Sequence, residues 1–343
     1  MLSKSHLCGV VSLAVFALLW RPSLQQTLPV CLSLPIPPTT PAIAFKNVVA
    51  FGASWMDDGH RTGGAATATA ATSDPNKQFT GRASNGPTLV EFLAKNTGLF
   101  HDASAAAATG TCRPGLLNAN LTNMAFSGAS CDNKIFGQPD PTKAPFSVVQ
   151  QVQMAIAAGL PDSATTLYVF LPATQDITGL KSQNDPVMEA NVAACYQNSM
   201  LAIAAAGGKN FVLATSYPYN MAPETANSNR TVLQQEVAAV NAGLYAVPAA
   251  VKASFPTSNT WVMDMVYVVR DYVMANAQLF YGAGANIVDA CSAGGTATAA
   301  CQQAGPDLFL WWDGHHPTRK SHSLYAQVLY YYLSQTPFTG PLV

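Results

Sequence analysis

The feature that most constrains this chain is an alternation of short β-rich apolar runs with longer stretches of helical periodicity. Asn47-Val-Val-Ala-Phe51 reads as a buried strand ended by Gly52, and further strands are expected over residues 121–126, 167–171, 211–214 and 261–269. Helical patterns fill the intervals at 88–95, 147–158, 187–206, 231–253 and 320–334, the fourth interrupted by Pro248. Strands alternating with helices predict one α/β domain, a three-layer sandwich whose mostly parallel central sheet is covered on both faces. Reactive groups in such folds gather beyond the carboxyl ends of the strands, and Ser54, Gly128 and Gln175 each follow a predicted strand.

Composition narrows the function classes. Of 343 residues, 49% are apolar, enough for a sizeable core, and only 10% are charged, well under the usual quarter. A net charge of −1 leaves no electrostatic footprint for nucleic acid or an anionic membrane surface.

Targeting is expected at the start. Lys4 and His6 precede an apolar stretch over 7–20, so residues 1–22 read as a signal peptide without a sharp cleavage point, a signal anchor being the alternative. Residues 23–44 read as a Pro-rich linker, with five prolines from Pro29 to Pro41, and the domain occupies 45–343. No later run reads as long enough to span a bilayer. A secreted, extracellular protein follows.

Cysteine usage agrees with an oxidising compartment. With Cys8 removed, Cys31, Cys112, Cys131, Cys195, Cys291 and Cys301 remain, an even number. Cys112–Cys131 and Cys291–Cys301 are the expected pairs because each closes a local loop; the partners of Cys31 and Cys195 stay open. No Cys-x-x-Cys occurs, which argues against structural zinc. Asn120-Leu-Thr and Asn229-Arg-Thr are glycosylation sequons.

Two short motifs carry the chemistry. Phe51-Gly-Ala-Ser54 follows the first strand, and Asp313-Gly-His-His316-Pro-Thr318 lies near the end. Together they offer a nucleophile, an orienting acid and a base. Asp313 and His316 are three residues apart, so one helical turn would bring both onto one face, with Pro317 fixing the chain direction beyond. His315 would point away from that face. The order Ser, Asp, His differs from the chymotrypsin and subtilisin orders, and Met56 breaks the Gly-x-Ser-x-Gly elbow of α/β-hydrolases. Alone, Gly-Ala-Ser is an ordinary turn, and Asp313 or Thr318 could simply cap a helix.

The blocks together resemble a GDSL-type lipase/esterase of the SGNH hydrolase superfamily over roughly residues 45–335, most closely the secreted fungal acetylesterases of carbohydrate esterase family sixteen. The nucleophile block is Gly52-Ala-Ser54-Trp-Met-Asp57. Ser84-Asn-Gly-Pro87 with Val90-Glu-Phe-Leu-Ala94 is similar to the next segment, Asn123 to Ala129 to the oxyanion-glycine block, and Trp312 to Thr318 to the Asp/His block. The resemblance implies a Ser54–His316–Asp313 triad and an oxyanion hole built from the Ser54 and Gly128 amides with the Gln175 side chain. Two positions depart from the family. Its Asp before the nucleophile is Ala53 here, and its Gly-x-Asn-Asp reads Ala173-Thr-Gln175-Asp176, which lengthens the oxyanion amide by one methylene.

The expected activity is hydrolysis of short-chain acyl esters, acetylated carbohydrates first, with no cofactor and no metal. Asp313, His315, His316 and His322 could be imagined as metal ligands, but the serine block accounts for Asp313 and His316 without an ion. A lipase or phospholipase, and a catalytically impaired binding protein of the same fold, are the alternatives. The expected partner is a small-molecule or carbohydrate ester, with no nucleic acid and no stable membrane span; oligomeric state is left open.

Overall fold

The computed structural model describes residues 41–59, 74–79, 81–94, 116–135, 146–180 and 185–337. The expected signal peptide, most of the linker, Cys31 and Cys112 lie outside them. Five strands form one parallel sheet: β1 (Asn47–Phe51), β2 (Asn120–Asn123), β3 (Thr166–Phe170), β4 (Asn210–Ala214) and β5 (Asn259–Met263), in the order β2-β1-β3-β4-β5. Every residue of β3 and β4 is buried, as a parallel sheet covered on both faces requires. The cover comes in two groups. Helix α4 (Pro186–Ala205) packs on both α2 (Val148–Ala158) and α5 (Arg230–Ser254), and α1 (Leu89–Leu93) packs with the closing helix α8 (Arg319–Ser334), which follows the short helices α6 (Ala277–Tyr281) and α7 (Ala299–Ala304). The α/β sandwich expected from the alternation is what forms.

Strand order positions the site. The strand carrying the nucleophile, β1, lies between β2 and β3, and the three end nearly level: Ala50 pairs with Asn123 on one side and Val169 on the other. The chain leaving β1 at Ser54 is thus flanked by the loop after β2 and by the short helix α3 (Thr174–Thr178) after β3.

Three local expectations are corrected. Over 261–269 only the start is a strand. Asp264 Oδ1 accepts hydrogen bonds from the Val266 and Tyr267 amides at 3.0 Å, and the chain turns into the helical stretch Tyr267–Met274. A side-chain cap therefore overrides a β-branched run. The helix expected to break at Pro248 runs through it as α5, with Val247, Pro248 and Val251 buried, so tertiary packing outweighs the lost backbone bond. Once unbroken, α5 is the one described helix long and apolar enough to cross a membrane, contrary to the expected lack of any such run; its Leu233, Val237, Val240 and Leu244 are buried inside the fold.

The third correction concerns crosslinks. Cys131 is joined to Cys195, not to Cys112. Cys195 is a buried residue of α4, a helix that packs on α2, whose Val149 amide donates to the Cys131 carbonyl at 3.1 Å, so the partner lies 64 residues away and no loop-length argument could select it. Cys291–Cys301 is formed as expected, across 10 residues.

Candidate active site

The turn leaving β1 is built by side chains from other elements. Gln151 of α2, fully buried, accepts from the Gly52 amide at 2.9 Å and donates Nε2 to the Gly52 carbonyl at 2.8 Å. Asn123, at the end of β2, donates Nδ2 to the Met56 carbonyl. Asp57, also fully buried, accepts from the Gly59 amide at 2.9 Å and from the Ser127 amide at 2.7 Å. Asp57, three residues after the nucleophile, thus ties the turn to the loop after β2. Ala53 itself packs with Ala129 and Ala173, small side chains that let the three loops approach closely.

Beside this turn, the motif near the end closes on Ser54. His316 Nε2 lies 2.7 Å from Ser54 Oγ, and His316 Nδ1 lies 2.8 Å from both carboxylate oxygens of Asp313. The carboxylate can only accept, so it takes the Nδ1 proton and leaves Nε2 to accept from the serine hydroxyl. Burial lowers the His316 pKa from its ordinary value, against the opposing pull of Asp313, so the ring is a neutral base at neutral pH. For Asp313 burial works upward, but its hydrogen bonds to His316 and to backbone amides outweigh it and hold the carboxyl below the ordinary range.

The Asp313–His316 pairing does not come from a helical turn. Residues 312–316 form a bent loop closed by the Trp312 amide donating to the His316 carbonyl at 2.7 Å. Asp313 Oδ1 also accepts from the His315 and His316 amides at 3.0 and 2.9 Å, so the orienting acid folds its own loop. Helix α8 begins after it, capped by Thr318, and Asn85 Oδ1 accepts from the Arg319 amide at 2.8 Å. The Ser84–Pro87 block is thus an anchor for the segment carrying the base.

The flanking loops place Gly128 and Gln175 on either side of Ser54. Gly128 has φ +84°, a left-handed conformation natural to glycine. Its loop is pinned at both ends: Ser127 donates to Asp57, and the Cys131 amide donates to Asp176 at 2.7 Å. The other oxygen of Asp176 accepts from the Ala173 amide at 3.0 Å and the Tyr196 hydroxyl at 2.6 Å. Burial pushes the Asp176 carboxyl up to about 6 despite these three hydrogen bonds. One buried carboxylate thereby couples the Gly128 loop to the Gln175 turn. Gln175 is half-buried; its Oε1 is sequestered without a partner, and its Nε2 donates to no other described residue.

Asp313, His315 and His316 offer ligand atoms within 4.8 Å of one another. Each is engaged, however: His316 Nδ1 with Asp313, and His315 Nδ1 with Glu224 at 2.8 Å. Trp55, Trp311 and Trp312 are buried core residues, and Trp55 donates Nε1 to the His315 carbonyl at 3.1 Å. The sequence did not single out Asp57, Gln151 or Glu224; only Asp57, inside the nucleophile block, carried any signal. Asn120 and Asn229 are exposed, the latter capping α5 through Oδ1.

Comparison with known proteins gives the family. The profile of the GDSL-like lipase/acylhydrolase family matches residues 48–329. Among solved structures, the chain is similar to a GDSL-like lipase from Parabacteroides merdae described as putative (11% identity, TM-score 0.43, covering 84% of this chain and 95% of that one). It is also similar to the acetyl xylan esterase AlAXEase (10% identity, TM-score 0.40, 83% and 98%). No curated protein matches. A profile match over most of the chain shows that this protein belongs to the GDSL-like lipase/acylhydrolase family of the SGNH superfamily, a family of carboxylic ester hydrolases.

Proposed function

We propose that the protein is a secreted serine esterase that removes short acyl groups, acetyl first, from carbohydrates. The observation that carries the catalytic part is the continuous Asp313–His316–Ser54 hydrogen-bond chain. Ser54 Oγ attacks the ester carbonyl as His316 Nε2 takes its proton, and Asp313 stabilises the resulting imidazolium. The Ser54 and Gly128 amides and the Gln175 amide hold the oxyanion. His316 returns the proton to the departing alcohol, then draws one from water as the acyl-serine is hydrolysed. The acetyl and carbohydrate preference rests on the block resemblance to the family sixteen esterases. Secretion rests on the N-terminal pattern, the two disulfides and the exposed sequons at Asn120 and Asn229.

The test is a p-nitrophenyl ester chain-length series with fluorophosphonate labelling. Hydrolysis fastest at acetyl, one label per chain, and loss of both in Ser54→Ala are expected. A maximum at long acyl chains would replace the acetylesterase reading with a lipase. Labelling that survives in Ser54→Ala would move the nucleophile elsewhere. No hydrolysis at any length would favour a binding protein.

A further inference from the structure

A second imidazole–carboxylate pair lies against the first and has no part in the reaction as drawn. His315 Nδ1 is 2.8 Å from Glu224 Oε2, and the other carboxylate oxygen accepts from the Tyr219 hydroxyl at 2.7 Å. Burial works upward on Glu224, but its hydrogen bond to His315 and that residue's charge outweigh it, so the carboxyl titrates below its ordinary value. The pair is also built into the backbone. The Glu224 amide donates to the Gly314 carbonyl at 3.0 Å, and the His315 carbonyl accepts from Trp55, the residue after the nucleophile. A Cβ at 314 would lie 2.7 Å from Glu224 Oε2 and 3.0 Å from its Cβ, so any side chain there would push the Glu224 carboxylate from its place.

The His315 ring lies over His316, with centroids 3.9 Å apart and planes tilted by 41°. Its side chain keeps 21% of its surface exposed, unlike that of buried His322. An ionised carboxylate can only accept, so Glu224 takes the Nδ1 proton and turns the ring. Nε2 is then the polar atom of His315 left without a protein partner among the described residues. Any alcohol leaving the acyl group must sit within hydrogen-bond reach of His316 Nε2, because that atom protonates it. The substituents on that alcohol then extend past the His315 ring, which lies against His316.

We infer that His315, held by Glu224 and Tyr219, is a specificity-determining residue that binds a hydroxyl group neighbouring the ester oxygen, so that the site selects esters of polyhydroxylated alcohols over plain ones. The chemistry suits the task. A hydroxyl both donates and accepts, and so can pair with Nε2 in either protonation state of the ring. A ring whose other nitrogen is fixed by a carboxylate offers that atom preorganised. A site polar group left unpaired by the wrong substrate is what gives discrimination. The inference rests on the esterase reading but extends it to the alcohol side, which the triad and oxyanion hole do not address.

The test compares two acetates of similar size, a monoacetylated methyl β-xylopyranoside and cyclohexyl acetate, by the ratio of their kcat/KM values. The native protein should favour the sugar ester by about 10-fold or more, the scale of one well-placed polar contact. His315→Phe, which keeps an aromatic ring against His316 but removes both nitrogens, should bring the ratio near unity. His315→Gln should recover part of it, and Glu224→Gln, which frees the ring, should also lower it. An equal preference in the native protein, or an unchanged ratio in His315→Phe, would overturn the inference. Binding is read separately, by titrating the native protein and Ser54→Ala with methyl β-xylopyranoside while following the imidazole NMR signals. His315 signals that move with sugar support the inference even if neither ester is cleaved, in which case only the esterase reading fails. Signals that stay put overturn it even if both esters are cleaved.

Discussion

Gln175 stands where the resemblance places a shorter amide, and the proposed oxyanion role can be tested there. Its turn is fixed by Asp176, its Oε1 is buried, and its Nε2 remains without a protein acceptor among the described residues. We expect Gln175→Ala to lower kcat by about 10²-fold or more with little change in KM, because an oxyanion contact strengthens mainly in the transition state. A drop confined to KM would show that the amide binds ground-state substrate instead. The pH profile tests the base. His316 must be neutral to accept the serine proton, and burial lowers its pKa, so kcat/KM should rise with pH along an acid limb whose midpoint lies below 6.5. A midpoint above 6.5 would mean that Asp313 outweighs burial. At this scale the sequence was most legible: Ser54, Asp313 and His316 were picked out from their motifs, and the fold brings them within hydrogen-bond distance of one another. Glu224 was not, because a Pro-Glu-Thr turn 91 residues before His315 carries no local sign of its partner.

Elements were legible where one periodicity ruled. β1 came out at its expected bounds, and α2, α4 and α8 within a residue at each end. The failures had specific causes: the Asp264 cap that ended β5, packing that carried α5 through Pro248, and a loop, not a helix, around Asp313. Gln151 shows what an element contributes beyond its own fold, for α2 reaches across to hold both backbone groups of Gly52. Gln151→Leu keeps the size but leaves a buried N–H without that acceptor and weakens the support of its carbonyl. It should cost about 2–4 kcal/mol, and a roughly 5 °C or larger fall in Tm by calorimetry would register it. An unchanged Tm with normal turnover would show that the turn after β1 holds without α2.

Across the whole molecule, two buried groups pull stability in opposite directions as pH falls. Burial, followed by the charge of His316, lowers the His322 pKa to about 3, so between roughly 6.5 and 3 the unfolded chain binds the proton that the folded one refuses. Its contribution to stability therefore declines with acidification, by up to about 1.4 kcal/mol per pH unit in that window. Asp176 has the reverse sign. Its carboxyl is raised to about 6, so its contribution is fully present below about 3.8 and is lost as pH rises through 6. His322→Gln should remove that acid loss, so its midpoint in urea should improve relative to the native protein between pH 6.5 and pH 4.5. A variant-to-native difference equal at both pH values would remove His322 from the acid response.

Sequence by itself determined the class of fold and nominated Ser54, Asp313 and His316 as the candidate reacting groups. Strand and helix periodicities are local, and a motif lists its residues in order. Only the tertiary structure decided that β1 lies between β2 and β3, which sets both flanking loops beside Ser54. It alone paired Cys131 with Cys195, tied Asp57 to the Ser127 amide, and brought Glu224 to His315. The reason is physical: a buried polar group must find partners wherever packing puts them, and packing joins residues that chain order keeps far apart.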